Sequence, residues 1–122
     1  GIDLKSILQG KPSARKQLTW FMPHYMSLGT PNEMPSCGVI RVGDWKLIKL
    51  FEGGYRLFNL KDDLGETNNL AAAMPEKTAQ LDKKLMAELK QQHAFIPSIN
   101  PDFDEQAFEN YRAQMKKKNF GK

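Results

Sequence analysis

Only one cysteine, Cys37, stands in the 122 residues, so no internal disulfide can form and the redox compartment is left open. Histidine is almost as scarce. Zinc takes three or four ligands at short spacing, whereas His24, Cys37 and His93 are dispersed singly. No Gly-x-Ser-x-Gly elbow is present, and no glycine loop that would cradle phosphate. Nucleophilic catalysis needs an activated Ser or Cys with a base in reach, and no such set can be assembled. An active site carried wholly by this chain is therefore not expected. No apolar run approaches the length of a membrane span, and no charged-then-apolar leader opens the chain. No initiator Met stands at the start either, and a truncated chain is the expectation, with Gly1 either native or a tag scar.

What is present is enough for a core. Hydrophobic residues make up 40% of the chain, too many for disorder by composition. The net charge of +4 sits partly in one place, the Lys116-Lys117-Lys118 tail. A basic surface suits a polyanion, but on charge alone a solvated tail is the better reading of the run.

The chain is organised around residues 37–60. Val39-Ile40-Arg41-Val42 is β-branched and ends at Gly43-Asp44, a two-residue hairpin turn. Trp45 to Leu50 follows as a second strand. Glu52-Gly53-Gly54 supplies a second tight turn, and Tyr55 to Leu60 returns as a third strand. Gln17 to Met22 reads as one more strand of the same sheet, ended by Pro23. Cys37 reads as a small apolar residue at a strand start.

Helices flank this meander. Residues 2–10 read as a short helix with Asp3 as cap, Leu4, Ile7 and Leu8 as its apolar face, and Gly10 as its stop. Pro75 opens the main helix, whose stripe is Met74, Thr78, Leu81, Leu85, Leu89 and Gln92. His93 ends it, where the helix dipole favours a cation. Asp104 can cap a last helix bearing Ala107, Phe108, Tyr111 and Met115, with residues 119–122 frayed. The loop 26–36 is long for a small domain and marks a place for function or disorder. Asp62, Asp63 and Glu66 lack the spacing of a calcium loop and read as turn and capping residues. The fold class expected is α+β: a four-stranded antiparallel sheet packed against a long C-terminal helix.

Both faces of this sheet are apolar. Strand alternation assigns Val39, Trp45, Leu47, Tyr55 and Leu57 to one face. It assigns Ile40, Val42, Ile48, Leu50, Phe58 and Leu60 to the other. One leucine stripe covers one face. The segment 104–115 is expected to cover part of the other, and any remaining patch favours self-association.

Five segments, in order, resemble the C-terminal subdomain of formylglycine-dependent sulfatases. They are GIDLKSILQGK, LTWFMPHY, RVGDWKLI, YRLFNL and KDDLGETNNLA followed by a helix opening at proline, and together they span roughly residues 1–102. Leu64 stands where the family often has proline. The family's nucleophile motif, Cys or Ser followed by x-Pro-x-Arg, is missing: Gly38-Val39-Ile40-Arg41 follows Cys37. The resemblance implies residues 1–103 as that subdomain and 104–122 as a helical extension with a basic tail. It implies a parent enzyme of the alkaline phosphatase-like superfamily that hydrolyses sulfate esters, on a sulfated carbohydrate. Formylglycine and calcium would lie in the catalytic domain, the partner of this piece in the same chain, with no cofactor here. A periplasmic, secreted or lysosomal location is implied as well.

By the same resemblance His24 lies on the segment that runs towards the active-site mouth and would contact the sulfated sugar. An imidazole can donate hydrogen bonds to sulfate or hydroxyl oxygens. Tyr25 and Arg41 are the further candidates, Arg41 because a guanidinium suits bidentate oxyanion contact. Two rival readings stand beside this one. One is a polyanion-binding module using Lys11, Arg15, Lys16, Lys46, Lys49 and the tail. The other is a purely structural or oligomerisation domain. Nucleic acid is not an expected partner, because most aromatics are needed for the core; nor is a membrane.

Overall fold

A computed structural model describes residues 5, 8–11, 16–24, 35–98 and 100–120. Its strands are β1 (Gln17–Met22), β2 (Cys37–Val42), β3 (Trp45–Leu50) and β4 (Tyr55–Asn59). Its helices are α1 (Pro75–Gln91) and α2 (Glu105–Phe120). The strands form one antiparallel sheet in the order β1-β2-β3-β4. The expected α+β meander is therefore what the chain adopts, with a 17-residue helix across one face. Of the short first helix, Lys5 and Leu8 are helical, Gln9 N–H donates to the Lys5 carbonyl at 3.1 Å, and Gly10 has φ +76°. The rest of that helix, and residues 26–34 of the long loop, lie outside the described residues.

The hairpin turn sets the register, and the register corrects the expected faces. Of the two turn residues only Gly43 has positive φ, +60°, which is the II′ pattern. Two turn residues leave Val42 directly opposite Trp45, and Ile40 opposite Leu47. Directly opposed residues share a face. Ile40 and Val42 therefore lie with Trp45, Leu47, Tyr55 and Leu57, not with Ile48 and Leu50. Val39 moves to the face of Ile48 and Phe58. The sequence reading kept alternation within each strand but lost it across the turn.

The core lies between the first of these faces and α1. Ile40, Leu47 and Leu57 of the sheet meet Leu81, Leu85 and Leu89 of the helix, and all six are buried. Each such side chain contributes roughly 1.5–3 kcal/mol through loss of apolar surface to water. Thr78 is also buried, with its hydroxyl donating to the Met74 carbonyl at 3.0 Å. Gln92, expected on the stripe, is exposed just past the last turn. The helix ends in a Schellman arrangement: Ala94 N–H donates to Leu89 O at 2.9 Å and His93 N–H to Lys90 O at 3.1 Å. His93 occupies the left-handed position, φ +52°, where glycine is usual.

The second face is only partly covered. Phe58 is buried, but Leu18, Met22, Val39, Ile48 and Leu50 are half-buried and Trp20 is 51% exposed. The last helix does not cover this face, contrary to expectation. Asp104 caps α2 as predicted, its Oδ1 accepting from Ala107 N–H at 2.9 Å. Its Phe108 pairs with Phe103, ring centroids 5.4 Å apart, and stands near Pro23 and Phe51 at one end of the sheet. Phe51 in turn packs edge-on against Phe21, which lies on the α1 side. Tyr111, on the same expected side of α2, is exposed. The helix also continues to Phe120, beyond its expected end.

Candidate functional site

Pro23 takes the chain out of β1, and His24 follows it as an exposed residue at that end of the sheet. Tyr25 lies outside the described residues. Arg41 is exposed on the second face, near the opposite end of the β1–β2 ladder. Its partner across the ladder is Leu18, and its Nε donates to the Gly43 carbonyl at 3.0 Å. At about 3.3 Å per residue, the six steps from Leu18 to His24 put His24 roughly 20 Å from Arg41. The two are not brought together and cannot grip one sulfate group.

A groove opens instead at Pro23, the residue before His24. It encloses about 550 Å³ and is lined by Pro23, Ser36, Phe51, Glu52, Phe103 and Phe108, among others. Its walls come from four separate stretches of the chain, which is why no local motif announced it. Aromatic carbon alternates there with hydroxyl and carboxylate groups.

The two lysines of β3 are engaged. Lys49 Nζ lies 2.9 Å from Asp82 Oδ1 and 3.2 Å from the Tyr55 hydroxyl, which donates to Asp82 Oδ2 at 3.0 Å. Partial burial opposes the Lys49 charge, but hydrogen bonds to Asp82 and Tyr55 outweigh it and hold the ammonium above its ordinary range. This cluster pins β3 and β4 to α1. It was not foreseen, although Lys49 falls in step with Leu47, and a lysine on a covered face needs a partner. Lys46 points to the other face and pairs with Glu66 at 2.5 Å. Of the cations grouped in the polyanion reading, Lys46 and Lys49 are thus split between faces and paired with carboxylates, while Lys11 and Lys16 are exposed. The remaining cations of that reading include Arg15, which lies outside the described residues.

Asp63 organises the turn after β4. Its carboxylate accepts from Thr67 N–H at 3.0 Å, Thr67 Oγ1 at 3.0 Å and Asn68 N–H at 2.9 Å. Those backbone donors lower its pKa below the usual carboxylate range. Asp62, Asp63 and Glu66 act as turn residues, Asp62 accepting from Asn59 Nδ2 at 2.6 Å. Among the described residues no group of three His, Cys, Asp or Glu side chains is placed to hold a metal ion. Burial pushes the Cys37 thiol up from its ordinary value, which lowers its thiolate fraction and its nucleophilicity.

No protein-family model matches the chain, and no curated protein sequence matches it. Among solved structures it is similar to BT4656, determined in complex with its substrate D-glucosamine-2-N,6-O-disulfate. Sequence identity is 26% and the TM-score is 0.56. The match covers 75% of this chain and 19% of that one, so the chain spans about a fifth of the length of BT4656. The fold is sulfatase-like.

Proposed function

We propose that this chain is the C-terminal part of a sulfatase that hydrolyses sulfate esters of a carbohydrate, and that it completes the substrate pocket rather than carrying the chemistry. The likeness to a protein whose substrate is a doubly sulfated glucosamine is the observation that supports this reading most. The five resembling segments in residues 1–102 support it independently. Residues 1–103 would be the subdomain proper and 104–122 an extension.

In this reading His24, exposed just after Pro23, which lines an amphipathic groove, donates hydrogen bonds to the sulfated sugar. Tyr25 follows it in the chain and would share that contact. Arg41 would meet a different part of the substrate or the neighbouring domain, given its distance from His24. The calcium ion and formylglycine implied for the parent do not fit the residues described here, which bring no metal-ligand set together. They would belong to the catalytic domain. The half-open second face, with Trp20 and Ile48, would rest against that domain.

The test is kinetic. In the longer enzyme, His24→Ala should raise KM for a sulfated glucosamine by about tenfold or more, the scale of one lost charge-assisted hydrogen bond. The 122-residue chain alone should not turn over an aryl sulfate. Unchanged kinetics in the variant would remove the pocket role. A coding sequence without Cys or Ser in an x-Pro-x-Arg context upstream of Gly1 would remove the family assignment.

A further inference from the structure

The two edges of the sheet are treated differently by the fold. The outer edge of β4 is sealed group by group. Leu57 N–H donates to Asn69 Oδ1 at 2.9 Å, and Asn69 Nδ2 donates to the Tyr55 carbonyl at 3.1 Å. The Leu57 carbonyl accepts from Leu70 N–H at 2.8 Å, and the Asn59 carbonyl from Asp63 N–H at 2.9 Å. One asparagine side chain and a short return of the backbone stand in for a fifth strand.

The outer edge of β1 has no such cover among the described residues. In a two-residue hairpin the closing pair, Val42 and Trp45, exchanges hydrogen bonds. Alternation then turns Arg41, Val39 and Cys37 towards β1, where their partners are Leu18, Trp20 and Met22. The backbone groups of Gln17, Thr19 and Phe21 therefore face outward. None of them bonds another described residue. Natural edges are blunted by charge, proline or a covering segment. Gln17-Leu18-Thr19-Trp20-Phe21-Met22 has no charge and no proline, and its Trp20 is the most exposed side chain of the strand.

We propose that the β1 edge pairs with the β1 edge of a second copy of this chain, antiparallel about Thr19, to give a continuous eight-stranded sheet. The register follows from which groups face out. Thr19 would exchange bonds with the partner's Thr19, and Gln17 with the partner's Phe21. Leu18 and Trp20 would then meet as close cross-strand pairs on the second face, extending its apolar surface across the twofold. A twofold brings identical charges together, and β1 has none to repel. The alternative, β1 of one copy on β4 of the next, would build an open fibre, but the Asn69 seal blocks it. The assembly closes at two. This inference does not depend on the sulfatase reading.

Sedimentation of the 122-residue chain across concentration tests it, together with amide exchange at Thr19 and Phe21. A dimer is expected, and exchange at these two amides should slow as the dimer fills. Thr19→Pro removes an outward N–H and breaks no bond within the monomer sheet, since proline is tolerated where an edge N–H faces solvent. It should raise the dimer dissociation constant at least about tenfold. Trp20→Lys, an edge charge, should do the same and decides the matter if the proline variant does not fold. A chain that stays monomeric at high concentration would overturn the proposal. So would folded variants that dimerise as well as the parent, or concentration-dependent protection that appears elsewhere.

Discussion

Gly38 lies directly beneath Leu85: a Cβ at Gly38 would stand 3.2 Å from Leu85 Cδ2 and 3.5 Å from Phe51 Cζ. The absent side chain lets α1 settle onto β2. Gly38→Val should overpack this contact and destabilise by about 1–3 kcal/mol in urea melts. Gly38→Ala should lie closer to neutral, because the Leu85 tip can shift and alanine restricts the unfolded chain.

Leu85→Ala should cost about 2–5 kcal/mol, because it opens a cavity under the middle of the helix. Lys84→Ala, on the exposed side, should change stability by less than about 0.5 kcal/mol. In the Leu85→Ala background the Gly38→Val penalty should shrink. Strict additivity in the double-mutant cycle would mean the two sites do not touch.

Asn69→Ala should destabilise by about 1–3 kcal/mol, since it strips partners from Leu57 N–H and the Tyr55 carbonyl together. It should also reopen the β4 edge. Light scattering on the variant is the check, and equal monodispersity with the parent would count against Asn69 as an edge guard.

His93→Gly should stabilise the chain by about 0.5–1 kcal/mol, because a left-handed backbone costs histidine and not glycine. Thermal melts decide this. A loss of stability instead would mean the imidazole makes a contribution that outweighs the backbone strain.

Two pH windows follow from Asp63 and Lys49. The Asp63 pKa is depressed in the folded chain, so its contribution is complete above the unfolded value. It fades as pH falls through the folded value, below the ordinary carboxylate range. Lys49 is raised, so its contribution is complete below the unfolded value and fades as pH climbs through the folded one. Asp63→Asn should flatten the acid limb of the stability curve, and Lys49→Met the alkaline limb. Curves that keep their parent shape would show that these groups are not perturbed.

Much of the fold was legible because it is locally encoded. Gly43-Asp44 and Gly53-Gly54 mark the turns, β-branched runs mark the strands, and Pro75 with the Thr78, Leu81, Leu85, Leu89 spacing marks the helix and its buried side. Asp104 marks the start of α2. The candidate site was legible only as single residues. His24 and Arg41 could be named, but their separation across the ladder could not be read from either one.

The sequence by itself determined the order of elements, the turns and which side of α1 is buried, since each depends on neighbours within a few positions. The tertiary structure decided the rest. Registry across Gly43-Asp44 moved Ile40 and Val42 under α1 and Val39 to the other side. Docking of α1 brought Asp82 to Lys49 and Tyr55. The return of the chain after β4 spent Asn69 on one edge and left Thr19 and Phe21 facing outward on the other. These are relations between residues far apart in the chain, fixed by backbone pairing and packing, and no local pattern records them.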